Sequence, residues 1–246
     1  MLDNDEENKT TKIDRQEDVP QHTNNPIFDL TESDEIKTKE KGPLDHMPNF
    51  SSAFPALLLF SLFGVASTMF WNHPLGQFLW LNRQSIIIEH EYWRLLTSLF
   101  VHADWLHLLS NTPLFLIFGW FLHAFFGAAI FPILALLTGI LSNYMTIIYM
   151  PLTTKLIGAS GMLYGMVALW LVLFIKFDVQ HNPSIRVARA VAFCLIVLAP
   201  TTYQPQTSYL AHAFGFLIGS LFGFTSSFFV RPKTPKKGLS EQNHPL

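Results

Sequence analysis

Residues 106–150 read LHLLSNTPLFLIFGWFLHAFFGAAIFPILALLTGILSNYMTIIYM, a stretch of 45 residues without one Asp, Glu, Lys or Arg. A helix that spans a membrane needs roughly 20 mainly apolar residues, so the stretch is long enough for two. Gly127 is the single residue between an apolar run at about Leu106–Phe126 and another at about Ala128–Met150. The stretch therefore predicts two transmembrane helices joined as a tight hairpin.

Four further apolar runs lie on either side of this hairpin, at about Ala53–Trp71, Ile157–Phe177, Val187–Pro200 and Tyr209–Val230. The run at Val187–Pro200 is short for a span, and the two arginines near its start can reach the interface with their charged ends. Between Met47 and Val230 the acidic residues are only four, Glu89, Glu91, Asp104 and Asp178. So little charge excludes an ordinary soluble domain and predicts an all-α polytopic membrane protein with six transmembrane helices.

The two ends of the chain differ from this middle part. Residues 1–47 hold thirteen of the eighteen acidic residues, with NPIFDL as their single apolar cluster. Such a segment buries too little apolar surface to offset its ordering entropy, so we expect it to be disordered rather than a small cytosolic domain. The expected organisation is a disordered acidic segment (1–47), a six-span domain (48–230) and a basic cytoplasmic tail (231–246). The start lacks the layout of a signal peptide, and the single cysteine, Cys194, permits no internal disulfide.

Basic residues predict the orientation in the membrane, because cytoplasmic loops carry the excess of Lys and Arg. With six spans and both ends inside, ten basic residues near the membrane face the cytoplasm: Lys37, Lys39, Lys41, Lys176, Arg186, Arg189, Arg231, Lys233, Lys236 and Lys237. Only Arg83, Arg94 and Lys155 then lie outside. The first connection, about Asn72–Trp105, becomes external, and its apolar content predicts an amphipathic segment in the interface.

Polar side chains occur near the starts of the second, fourth and sixth spans. His107 and Asn111 are four residues apart, Ser160 precedes Tyr164 by four, and His212 follows the start of the sixth span. All three spans begin on the external side in this topology. Since polar groups at membrane depth are costly, their gathering in one outer layer predicts a functional site.

The residue types indicate nucleophilic catalysis. A serine hydroxyl becomes reactive when a base removes its proton, and His212 can be that base for Ser160. No Asp or Glu lies within a predicted span, so we expect a dyad without a carboxylate, with Tyr164 as a packing partner of the His212 ring. Asn111, His107 and the backbone N–H groups at the start of the fourth span are the candidate donors to an oxyanion.

The two reacting helices also carry glycines at close-packing spacing. Gly161 and Gly165 lie on the fourth span, and Gly215 and Gly219 lie on the sixth. Small residues four apart allow two helix backbones to approach closely, which contact between Ser160 and His212 requires.

Each motif alone has a less specific interpretation. A lone GASG is usually a packing motif, HxxxN can be an interhelical hydrogen bond, and a lone histidine can serve a proton path or a ligand. His123 is expected to be interfacial, and the spacing of His102, Asp104 and His107 does not suit a metal site, so we expect neither metal nor cofactor. A channel or transporter would place polar groups at the midplane or in both halves of the membrane. The chain has no HExxH and no aspartate within a span for other intramembrane proteases.

The ordered set of motifs resembles the rhomboid intramembrane proteases, in particular the compact six-span bacterial type. The resemblance covers about residues 50–230. The matching pieces are Trp93-Arg94, His102, His107, Asn111, the GASG run at 158–161, Tyr164, Ala211-His212, Gly215 and Gly219.

The resemblance implies a Ser160–His212 dyad in a water-filled cavity that opens outward. It also implies oxyanion stabilisation by His107, Asn111 and the Ser160 N–H, a first loop shaped by Trp93-Arg94, and a flexible cap at 200–208. The partners would be membrane-protein substrates and the lipid bilayer, without nucleic acid, and the location a bacterial inner membrane. A catalytically inactive client-binding relative and a sorting variant that cleaves one C-terminal tag remain alternatives.

Overall fold

The computed structural model describes residues 42–198 and 208–233. Eight α-helices form within these residues: α1 Phe54–Asn72, α2 Arg83–Ile87, α3 Arg94–Thr97, α4 Trp105–Phe126, α5 Ala135–Tyr149, α6 Ser160–Phe177, α7 Pro183–Phe193 and α8 Tyr209–Ser226. The described part contains no strand, apart from one isolated bridge between Leu81 and Leu156. The predicted all-α class is therefore confirmed.

Five helical segments in the described part are long and apolar enough to cross a membrane: Phe50–Asn72, Trp105–Phe126, Ala129–Tyr149, Ser160–Phe177 and Tyr209–Ser226. The run at Val187–Pro200 is not among them. There α7 passes at Cys194–Leu198 into a π-helical segment, and residues 199–207 lie outside the described part. The membrane bundle is confirmed, and a sixth span stays a prediction. The acidic segment lies outside the described residues up to residue 41.

The hairpin between α4 and α5 turns at Gly127. Gly127 has a φ of 84°, which a residue with a side chain rarely adopts. A π-helical segment, Ala129–Leu134, then leads into α5. The chain folds back so tightly that Phe131 contacts Gly119 of the preceding helix, where a Cβ would come within 2.9 Å of the Phe131 ring. The short connection that the sequence predicts at this glycine is therefore present.

The first connection, predicted as an amphipathic segment in the interface, is built from several short elements. It contains the short helices α2 and α3 and a 3₁₀ turn at Pro74–Phe78. Arg94 of α3 lies buried at its centre, forms an ion pair with Glu91 and donates to the carbonyls of Gln77 (2.7 Å) and Trp80 (3.0 Å). One planar guanidinium thus joins the 77–80 segment of the loop to the 91–94 segment.

We expect Arg94→Ala to lower the free energy of unfolding by about 2 kcal/mol, because the buried guanidinium and its contacts with Glu91 and with the carbonyls of Gln77 and Trp80 would be lost. Arg94→Lys should restore only part of this, since an ammonium does not reproduce the planar fork. Thermal unfolding in detergent measures both. An Arg94→Ala protein that melts with the wild type would contradict the bracing role.

Helix α6 lies at the centre of the bundle. Within the bundle, 61% of α6 is buried, against 22–50% of the corresponding 18-residue stretches of the other four candidate spans. Its glycines face α8 directly: a Cβ on Gly215 would collide with the carbonyl of Gly161, and one on Gly219 with the carbonyl of Gly165. The backbones of α6 and α8 therefore touch at two successive turns, as the small-residue spacing allows.

The two ends of the bundle have different chemistry. The starts of α4, α6 and α8 gather at one end, where His107 reaches Gly158 and Ala211 reaches Ser142. At the other end Lys176 lies over the Phe228 ring and Arg231 over the Phe177 ring. One end therefore collects hydroxyl, imidazole and amide groups, and the opposite end collects cations.

Candidate active site

Ser160 is the first residue of α6 and is half-buried. The turn before it depends on Gly158, which has a φ of 101° and donates its N–H to the Ser98 carbonyl at 2.9 Å. Asn143 of α5 in turn donates to the Ser98 hydroxyl at 3.0 Å. The N–H groups of the first helical turn have no acceptor within the helix, so they are free to meet an anion.

His212 lies in the first turn of α8, and its ring stacks on Tyr164. The two ring centroids are 4.0 Å apart and the planes differ by 9°. Ser208 caps the helix through its side chain. Tyr164 is held in turn, since its hydroxyl donates to the Leu198 carbonyl at 3.0 Å. The imidazole plane is therefore fixed by a ring that is itself anchored.

The His212 Nε2 atom is buried and has no hydrogen-bond partner among the described residues. A buried polar atom without a partner is costly and occurs rarely outside functional sites. Ser160 lies next to Gly161, and His212 lies three residues before Gly215, where α6 and α8 touch. The arrangement therefore has a hydroxyl and an unpaired imidazole nitrogen on two helices in backbone contact.

Ser142 of α5 packs behind both helices. It is fully buried, and its hydroxyl donates to the carbonyl of Ala211, the residue before His212, at 2.8 Å. A Cβ on Gly161, the residue after Ser160, would lie 2.6 Å from the same oxygen. One hydroxyl thus contacts the backbone beside each of the two candidate catalytic residues.

His107 packs against the turn that precedes Ser160. A Cβ on Gly158 would come within 2.9 Å of His107 Cε1 and 3.2 Å of its Nε2. Asp104 caps α4 and accepts the His107 backbone N–H at 2.8 Å. Asn111, one turn further along α4, has a buried Nδ2 with no hydrogen-bond partner in the described part of the chain. His107 thus contacts the turn before Ser160, and Asn111 lies one helical turn further along α4.

His102 lies behind His107, with ring centroids 5.1 Å apart in an edge-to-face arrangement. Burial, and to a lesser degree the nearby His107, lowers the pKa of His102 to about 3. The ring is therefore neutral at ordinary pH. Its hydrogen bonds run to Ser67 and Trp71 of α1.

Other residues predicted for the site lie elsewhere. Arg94 is buried among first-loop residues and Trp93 is exposed on the same loop. Gly219 of α8 contacts Gly165 of α6, one helical turn further from His212 than the contact at Gly215. The described residues contain no group of three or more His, Cys, Asp or Glu side chains that could hold a metal ion.

Sequence reasoning missed the buried polar residues behind the site, which are Ser67, Ser98, Ser142 and Asn143. A signal for Ser142 and Asn143 was present, because both interrupt the apolar third span, where a polar side chain is expensive. Ser98 lies in the loop and Ser67 on the first span, and neither belongs to a motif that reveals its partner.

Comparison with known proteins identifies the family of the chain. The Rhomboid domain model matches residues 89–228, more than half of the chain. A Bacillus subtilis protein named "Putative rhomboid protease YdcA" is 31% identical over 140 residues, which are 56% of this chain and 69% of that protein. Rhomboid protease GlpG of Haemophilus influenzae is 24% identical over 56% of this chain and 72% of its own length.

A plant relative matches a longer part of the chain. RHOMBOID-like protein 2 of Arabidopsis thaliana is 28% identical over 172 residues, 70% of this chain but only 52% of that protein. The match of the family model and the apolar helices lead to one conclusion. The chain belongs to the rhomboid family and is an integral membrane protein.

Proposed function

We propose that this protein is an intramembrane serine endopeptidase that uses a Ser160–His212 dyad. The observation that carries the proposal is the unpaired, buried His212 Nε2 on a ring stacked at 4.0 Å against Tyr164, beside the α6–α8 backbone contact that carries Ser160. Relatives named as rhomboid proteases support the reaction class.

In the proposed reaction the Ser160 hydroxyl attacks the scissile carbonyl while His212 Nε2 takes its proton. The negative charge on the former carbonyl oxygen is met by N–H donors from His107, Asn111 and the first turn of α6. His212 then gives the proton to the leaving amine, and the C–N bond breaks to leave an acyl ester on Ser160. A water molecule, deprotonated by His212, hydrolyses this ester and restores the serine.

The His212 imidazole packs against a neutral aromatic ring, that of Tyr164. Tyr164 stacks on the face of the ring, whereas the carboxylate of a soluble triad hydrogen-bonds to Nδ1 at its edge, so orientation of the imidazole here comes from packing. The proposed site opens to the external side of a bacterial inner membrane, with both ends of the chain in the cytoplasm. The cations at the opposite end of the bundle, Lys176, Arg231 and Lys233, support this orientation.

Two alternatives have less support. A catalytically inactive client-binding relative has no need for both Ser160 and His212, or for unpaired polar atoms beside them. A channel would need a polar route across the membrane. In the part of the chain that the structure describes, the buried side-chain atoms without a partner are on His102, Asn111, Thr146 and His212, in the half of the bundle that holds the helix starts. A variant dedicated to one C-terminal tag would use the same site and differ in substrate.

The test is direct. The detergent-purified protein is incubated with a model single-span membrane protein, and the cut is located by mass spectrometry. A fluorophosphonate probe is added in parallel, and the labelled peptide is identified. We expect a cut near the outer end of the span and a label on Ser160. Cleavage without a label on Ser160 would contradict the dyad.

We expect deletion of residues 1–45 to leave the cleavage rate of a model substrate within about twofold of the wild type. The segment precedes α1, which begins at the end of the bundle opposite the proposed site, where His46 contacts Phe125. Rates measured on matched amounts of folded protein check this. Complete loss of cleavage, or a protease-resistant fragment from this segment, would show that the segment is structured or required.

A further inference from the structure

Ser67 of α1 contacts His102, the residue that packs behind His107. It is fully buried, and its Oγ accepts the His102 backbone N–H at 3.1 Å. The same oxygen lies 3.4 Å from His102 Nδ1 and 3.3 Å from the Phe100 carbonyl. Trp71, one turn later, donates from its indole to the His102 carbonyl at 2.8 Å. Two turns of α1 thus hold the backbone and the ring of His102.

The contacts of Ser67 favour a proton on one ring nitrogen of His102, Nδ1. A hydroxyl has one hydrogen, and here it is directed to the Phe100 carbonyl, which can only accept. The Ser67 oxygen then meets His102 Nδ1 as an acceptor, so Nδ1 is the donor. The proton therefore lies on the α1 side of the ring, and Nε2 keeps its lone pair.

The other edge of the His102 ring faces the site. Cδ2, which is bonded to Nε2, lies 4.0 Å from the position of a Cβ on Gly158, and His107 packs against the same glycine. Nε2 is buried and has no hydrogen-bond partner in the described part of the chain, on a residue with no exposed surface. The His107 ring packs against the His102 ring, with centroids 5.1 Å apart and planes at 76°.

We propose that Ser67 and His102 form a positioning pair for His107: Ser67 holds His102 as the Nδ1–H tautomer, and the His102 ring then sets the orientation of the His107 ring beside Gly158. The inference rests on the proposed function, because His107 is a donor to the oxyanion in that reaction. Neither Ser67 nor His102 contacts the substrate in this role.

The test compares Ser67→Ala with Ser61→Ala. Ser61 lies on the same helix, is exposed and donates only to the Leu57 carbonyl of its own turn, so it is a matched control. Misplacement of a group at the reacting centre by 1 Å can cost about 10²-fold in rate. In Ser67→Ala the His102 and His107 rings should be less well ordered but still present, so we expect kcat to fall by roughly tenfold with KM unchanged. Ser61→Ala should cleave like the wild type.

A spectroscopic measurement separates positioning from general destabilisation. In ¹⁵N-histidine-labelled protein, with His102 assigned by difference from His102→Asn, the wild type should show a protonated Nδ1 and an unprotonated Nε2, and Ser67→Ala should lose this preference. His102→Asn keeps a donor toward Ser67 but removes the ring edge, so its kcat should fall similarly. It also serves as the kinetic test if Ser67→Ala does not fold.

The outcomes are distinguishable. A folded Ser67→Ala protein with wild-type kcat, or a wild-type His102 protonated on Nε2, would overturn the positioning pair while cleavage that requires Ser160 still stands. If the wild type shows no cleavage that depends on Ser160, the proposed function fails, and the tautomer measurement still decides whether Ser67 sets the His102 ring.

Discussion

Ser160→Ala and His212→Ala should each reduce cleavage of a model substrate to background. The alanine at 160 removes the only atom that can form the acyl ester, and the alanine at 212 removes the base at the α6–α8 contact. Because members of a catalytic unit act together, the double variant should be no slower than either single one. Single-turnover cleavage with excess enzyme is the appropriate measurement.

Loss of cleavage reports on catalysis only if the variants remain folded. Ser160 is half-buried at a helix start, so losing its hydroxyl should leave the melting temperature in detergent close to that of the wild type. His90→Asn is a suitable control, because His90 is exposed in the first loop and has a φ of 58°, which asparagine tolerates. Substantial cleavage by folded Ser160→Ala would refute the dyad.

The membrane fold could be predicted from the sequence because hydropathy over whole helices is a strong signal. Lipid demands that every spanning backbone group be paired within its own helix, so a long uncharged run has few alternatives. The hairpin at Gly127 followed from the same reasoning. The first connection was harder, since Arg94 organises it through contacts with Gln77 and Trp80, which lie 17 and 14 residues away in the chain.

The sequence predicts the candidate site as a set of residues at one depth, but it does not predict the buried side chains that pack behind them. Order along the chain placed Ser160, Tyr164 and His212 at the same side of the membrane. The positions of Ser67 and Ser142 depend on how α1 and α5 rotate about their axes, and that rotation follows from side-chain packing. Serine occurs too often as a neutral helix residue for its place alone to reveal a partner.

The close contact between the backbones of α6 and α8 leads to a prediction with a large expected effect. We expect Gly215→Val to slow cleavage by about 10²-fold or more, because the added side chain has no space and must push α8 away from α6. A Cβ at this position would meet the Gly161 carbonyl carbon at 2.8 Å and its Cα at 3.2 Å, and backbone atoms cannot move aside as a side chain can. Overpacking should also lower the free energy of unfolding by roughly 1–3 kcal/mol.

Gly161→Val acts from the opposite side of the same contact. Its Cβ would meet the Ser142 hydroxyl at 2.6 Å and the Ala211 carbonyl at 3.2 Å, so it should break the hydrogen bond between α5 and α8 beside His212. We therefore expect a similar loss of rate, with the melting temperature lowered as well.

Gly64→Val is the matched control for both glycine variants. Gly64 lies on the spanning helix α1, and a Cβ there would have nothing within 4 Å. Valine at this position should therefore leave the cleavage rate and the melting temperature near wild type. If close approach of α6 and α8 sets the distance between Ser160 and His212, the rate must fall in Gly161→Val and Gly215→Val and not in Gly64→Val. Equal behaviour of all three variants would show that the glycines do not set that distance, even if Ser160 and His212 catalyse the reaction.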